Sequence, residues 1–150
     1  MALAEFGGKI NGHPIQLIEE ATDATAATAV TKAKKLVEKD KVSIVFGPLS
    51  GDEGVAIANY AKTVPSVTFV NSSSSASETT LVAKAPNFFR FHGDAAQWNG
   101  GLGEQAVKMG YKKIASFADD YSFPYANFGG FAKGFCDAGG EIVKAQWPAL

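Results

Sequence analysis

Three short stretches hold the residues best equipped for chemistry. "GPLSGDEG" (47–54) is a glycine-rich loop running into a helical pattern. Its glycines relax the backbone, and Ser50 or Asp52 can cap the helix. Free amides at a helix start, with a serine hydroxyl beside them, can hold a carboxylate; the plain alternative is a capped helix start. No Gly-Lys-Ser/Thr follows, so this is not a Walker phosphate loop, and Asp52 and Glu53 would repel a polyphosphate. "NSSSSASETT" (71–80) sets four serines after an apolar run. Their hydroxyls donate and accept next to main-chain amides; the alternative is a polar turn capped by Ser77 or Thr79. A serine nucleophile needs a base, and the only histidines are His13 and His92. Neither serine stretch makes a Gly-x-Ser-x-Gly elbow, so no catalytic residue is assigned. "ADDYSFPY" (118–125) places Asp119 and Asp120 ahead of Tyr121, Phe123 and Tyr125. With no histidine near them in sequence, the aspartates suit solvent or a ligand ammonium better than a metal. The aromatic residues suit covering a ligand, or a hydrophobic staple. No metal or cofactor is expected. Gly101-x-Gly103-x-x-Ala106 imitates a dinucleotide fingerprint, but it lies inside a helical pattern, where close helix packing explains it better.

Strands and helices alternate around these stretches. "PIQLIEE" (14–20) reads as a strand, followed by a helix capped at Thr22 or Asp23, with Ala26, Val30, Ala33 and Val37 at helical spacing. "KVSIVFG" (41–47) reads as a buried strand and residues 52–62 as a helix. "SVTFVN" (66–71) and "NFFRFH" (87–92) are further strands. Asp94 opens a helix with Trp98, Leu102, Ala106 and Met109 on one face. "KKIASFA" (112–118) and "EIVKAQW" (141–147) flank a helix that buries Phe128, Phe131, Phe135 and Ala138 and ends at Gly139. This alternation predicts an α/β fold with a mainly parallel sheet. Ligands in such sheets sit beyond the carboxyl ends of strands, where all three stretches fall.

Composition narrows the field further. The 150 residues are 46% hydrophobic and 19% charged, with a net charge of −1, which suits a globular core. Scattered Lys and Arg form no stripe for nucleic acid. The longest apolar run is far short of a membrane span. "MALAEFGGKI" lacks the pattern of a secretion signal. Cys136 is the only cysteine, which excludes a disulfide within the chain.

The stretches "LAEFGGKINGHPIQLIEE", "VSIVFGPLSGDEGVAIANYA", "VTFVNSSSSASETT", "FFRFHGDAAQ" and "GYKKIASFADDYSFPYANFGGFAKGFCDAGGEIV" follow in a familiar order. The chain resembles type I periplasmic binding proteins, in their leucine/isoleucine/valine-binding branch of ABC-transporter solute receptors. The resemblance implies two α/β lobes joined by hinge strands, with ligand in the cleft between them. It places residues 1–89 in lobe one without that lobe's first strand, 90–93 at the hinge crossing, and 94–150 in the first part of lobe two. It implies that Ser50, Gly51, Ser74 and Ser75 hold the ligand's carboxylate and ammonium. Phe123 falls where a tyrosine usually covers the ligand, with Tyr121 close by. The chain is expected to be a fragment, since it starts near the tail of the family's first helix and stops partway through lobe two.

The implied function is not enzymatic. A periplasmic parent protein would capture a small amino acid or related carboxylate, aromatic acids included. It would deliver this ligand to an inner-membrane ABC permease. The alternatives are an α/β enzyme acting on a small carboxylate and a sensory ligand-binding domain of the same fold.

Overall fold

The computed structural model describes residues 2–149. A short helix α1 (Ala2–Glu5) leads into an antiparallel hairpin of β1 (Lys9–Ile10) and β2 (His13–Pro14). The strand expected over 14–20 is not formed: beyond Pro14 the chain runs on to Thr22 without joining a sheet. Its apolar residues favour extension, but a strand also needs a ladder partner. A groove of about 1120 Å³ instead separates residues 15–21 from the nearest sheet edge.

Helix α2 (Ala26–Lys34) begins at Thr25, whose hydroxyl accepts the Thr28 N–H (3.3 Å). The expected caps lie just upstream. Asp23 supports the cap by accepting from the Thr25 hydroxyl (2.7 Å), while the Thr22 hydroxyl goes to Glu53. A wider turn prolongs α2 through Lys39.

The next elements are β3 (Ile44–Phe46), α3 (Gly51–Ala61), β4 (Thr68–Asn71) and β5 (Phe88–Arg90). The three strands form one parallel sheet in the order β3-β4-β5, pairing Val45 with Phe69 and Val70 with Phe89. Val45, Phe69 and Phe88 meet Ala29, Ala33, Ile57, Ala58 and Ala61 in a closed core. Tyr60 packs edge-on to Phe69, with ring centres 6.1 Å apart. The Asn87 side-chain amide donates to the carbonyls of Ala61 (2.9 Å) and Val67 (2.8 Å), tying the end of α3 to the sheet. β3 is the open edge beside the groove, with Ile44 and Phe46 exposed.

Past β5 the chain enters α4 (Ala95–Asn99), α5 (Leu102–Lys108), β6 (Lys113–Phe117), α6 (Ser122–Asp137) and β7 (Glu141–Gln146). β6 and β7 pair in parallel as a separate sheet. Asp94 caps α4 in a box with Gln97, as its place before the helix suggests. The single helix expected here is broken in two. Gly101 takes φ +88°, a left-handed conformation that ends one helix and starts the next. The break leaves Trp98, Leu102 and Met109 exposed rather than on one buried face. Gly103 does serve close packing, because a Cβ there would collide with the Phe131 carbonyl of α6. Of the aromatic face expected on α6, Phe135 is fully buried, while Phe128 and Phe131 are half-buried.

Candidate ligand site

Three loops leave the carboxyl ends of β3, β4 and β6 and converge. The first runs from Gly47 into α3. Ser50 caps that helix in a box with Glu53, whose carboxylate accepts the Ser50 N–H (3.0 Å). Glu53 is fully buried and also accepts the Thr22 hydroxyl. The first intrahelical bond runs from Gly54 N–H to the Ser50 carbonyl (3.0 Å), so the Gly51 and Asp52 amides lie ahead of the helix's own ladder. Such amides, at the positive end of the helix dipole, favour an anion. The Glu53 carboxylate is turned inward onto the Ser50 N–H and the Thr22 hydroxyl, and the Asp52 carboxylate is engaged by Ser122 at the start of α6.

The serine loop packs against this helix start. Ser74 is fully buried and faces Gly54, where a Cβ would collide with its hydroxyl; that hydroxyl has no hydrogen-bond partner. The Ser74 N–H donates to the Pro48 carbonyl (3.3 Å), and the Ser72 hydroxyl donates to the same oxygen (2.8 Å). Ser75 is also buried, with its hydroxyl on the Ser73 carbonyl (2.8 Å). Ser73 alone of the four is exposed. The Asn71 side-chain amide donates to the Ser74 carbonyl (2.6 Å) and closes the turn.

The third loop brings the start of α6 onto the start of α3. Asp52 Oδ1 accepts the Ser122 N–H (3.3 Å) and the Ser122 hydroxyl. A Cβ at Gly51 would stand 3.0 Å from the Phe123 nitrogen and 3.3 Å from the Ala76 Cβ, so the three loops meet tightly around this glycine. A row of rings borders the junction: Tyr121 and Phe123 are 6.2 Å apart, Phe123 and Trp98 6.3 Å, and Trp98 and His92 6.0 Å. Burial pushes the Tyr121 phenol above its ordinary pKa, and the negative charges of Asp119 and Asp52 add to the shift.

The structure therefore brings Ser50, Gly51, Tyr121 and Phe123 to one junction. It sets Ser74 behind the loop's outer surface and commits the Ser75 hydroxyl to the main chain. The exposure of Ser73 and the Asp52–Ser122 contact were not read from the sequence. Nothing in a run of four serines marks which one faces out, and the contact joins residues 70 positions apart. Among the described residues, no group of three or more His, Cys, Asp and Glu is placed to hold a metal ion, and no helix is long and apolar enough to cross a membrane.

The sequence is 27% identical over 146 residues to a Leu/Ile/Val-binding protein homolog of Brucella abortus, aligning 95% of this chain with 36% of that protein. The fold superposes on an ABC-transporter solute-binding protein of R. palustris, solved in complex with benzoate, with a TM-score of 0.90 and 24% identity, covering 99% of this chain and 41% of that one. A solute-binding protein of Rhodopseudomonas palustris BisB5, solved in complex with 3,4-dihydroxybenzoic acid, gives a TM-score of 0.86 and 26% identity over 95% of this chain and 39% of that one. The chain thus spans about two fifths of the length of the solved proteins it matches. The sequence profile of the periplasmic binding protein family matches residues 1–150, and the chain belongs to that family.

Proposed function

We propose that the whole protein is the solute-binding component of an ABC transporter, working in the periplasm with an inner-membrane permease and without turning its ligand over. Residues 1–89 form part of one lobe, 90–93 the crossing, and 94–150 part of the second lobe. The ligand is a small carboxylate, an aromatic acid or an amino acid, enclosed as the lobes close. The observation that carries this reading is the meeting of two helix starts. The anion-favouring start of α3, which follows β3 of one parallel sheet, meets the ring-bearing start of α6, which follows β6 of the other. Ser50 and the Gly51 amide serve the carboxylate. Ser73 and Ser75 shape the loop's side of the site, and Ser74 seats the loop on α3. Tyr121 and Phe123 cover the ligand.

The serine hydroxyls support binding over hydrolysis, since those of Ser72 and Ser75 are given to main-chain carbonyls. The rings beside the junction favour an aromatic acid, in line with the dihydroxybenzoate held by the 26% identical relative. The charges of Asp52 and Asp119 near Tyr121 favour an amino acid's ammonium, in line with the Leu/Ile/Val-binding homolog. Calorimetric titration of the whole protein with 4-hydroxybenzoate and with L-leucine decides between them. Saturable one-to-one binding of either supports the proposal. Binding of neither, or chemical conversion of either, contradicts it.

A further inference from the structure

Arg90 stands at the foot of the serine loop. In the β4–β5 ladder it pairs with Asn71, from which the loop departs. Its side chain, only 7% exposed, reaches the loop's far end. Nη1 donates to the Ala76 carbonyl (3.0 Å) and to Thr79 Oγ1 (3.3 Å), and Nη2 donates to Thr80 Oγ1 (2.8 Å). Nη2 also faces Asp94 Oδ2 at 3.5 Å, while Asp94 Oδ1 accepts the Gln97 N–H (2.8 Å) at the head of α4. The adjoining Ala95 N–H donates back to the Ser75 carbonyl (2.9 Å). One buried cation therefore joins the far end of the loop to the first helix after the crossing, while its own backbone lies beside the loop's near end in the sheet. Its ion pair is long, so the loop's oxygens supply most of the hydrogen bonding that a buried charge requires. A guanidinium presents its donors in a fixed planar fork and can serve these acceptors together; a lysine ammonium has neither the shape nor the donors.

We propose that Arg90 is a positioning residue for ligand binding: without touching the ligand, it holds residues 73–76 in shape and couples them to the start of α4. This rests on the reading that the serine loop faces the ligand.

The test compares unmodified whole protein with Arg90→Lys and Arg90→Met. Amide hydrogen exchange is followed at residues 73–76 and 95 without ligand, and affinity is measured for whichever of 4-hydroxybenzoate and L-leucine the unmodified protein binds. Loss of the charged hydrogen bonds should weaken binding roughly ten- to a hundredfold and speed exchange at those amides. Arg90→Lys should recover little of either, because the fork and not the charge is needed. Exchange as slow as in the unmodified protein overturns the proposal. So does an affinity within twofold of it alongside a lowered melting temperature, the result for a merely structural residue. Should both variants fail to fold, Thr80→Val removes a single arm of the fork; faster loop exchange supports the proposal and unchanged exchange overturns it. If the unmodified protein binds neither probe, the ligand reading falls, and loop exchange still decides whether Arg90 holds the loop.

Discussion

The two parallel sheets follow the same strand–helix–strand plan and are packed very differently. The β3-β4-β5 sheet lies against α2 and α3 over a continuous core from Ala29 to Phe88. The β6-β7 sheet contributes no fully buried strand residue, and Phe117 and Val143 are exposed. In that half the contact is helix to helix, through glycines. Gly103 lies against the α6 backbone, and Gly130 lies against Ala96 of α4. Phe135 and Ala95 are the only buried hydrophobic residues described there. The difference teaches that one secondary-structure pattern can yield either a sheet-centred core or a helix-centred contact. The candidate site joins one of each.

Core truncation should break this contrast most forcefully. Phe69→Ala empties the centre of the first core and should cost about 3–5 kcal/mol of global stability in denaturant unfolding. Phe135→Ala should instead speed hydrogen exchange mainly in α4, α5 and α6, because its loss is felt by helices and not by the first sheet. Equal global losses for the two would show a single shared core. Gly103→Val should come next. Overpacking typically costs about 1–3 kcal/mol, and this site should reach the top of that range because its neighbour is backbone. An unchanged melting temperature would mean that α5 and α6 separate freely.

Phe123→Ala bears on the site and less on the fold. If Phe123 covers the ligand as proposed, its removal should cost roughly 1.5–3 kcal/mol of binding, with a small change in ligand-free melting temperature. An unchanged affinity, measured by calorimetry, would assign the cover to Trp98 or Tyr121. The smallest expected effect is a pH dependence confined to the first core. Burial, with the hydrogen bond to Glu38, pushes the Tyr60 phenol up to about 12 from an ordinary 10.0. A raised pKa means the folded state resists ionisation. This contribution should be complete below pH 10.0 and be lost as pH rises from there towards about 12. Tyr60→Phe should flatten that loss in urea melts taken across the range; an identical pH profile would remove Tyr60 from the account.

Much of this was legible from pattern. β3, β4, β5, β6 and β7 all lie within apolar runs read as strands, and Asp94 and Gly139 bound helices as their types suggest. What failed depended on partners or on backbone conformation. Residues 15–20 have strand-like alternation and no ladder. Gly101 looked like one more residue of a helical repeat until its positive φ placed a break there. Thr22, Asp23 and Thr25 are all competent caps, and the tertiary pull of Glu53 on Thr22 helped to leave the role to Thr25. At the site, residue type located the loops but not the direction of each side chain. Ser74 turns inward because Gly54 leaves room for it, a relation between positions 20 apart that no local spacing reveals.

The central claim is that the start of α3 holds the ligand's carboxylate. The most direct measurement compares an acid with its neutral amide on the whole protein, 4-hydroxybenzoate against 4-hydroxybenzamide, or L-leucine against L-leucinamide if leucine is the ligand bound. Hydrogen bonds to an ionised acceptor are worth about 1.5–3 kcal/mol each, so the acid should bind at least about tenfold more tightly than the amide. Equal affinities for the acid and the amide would contradict the claim.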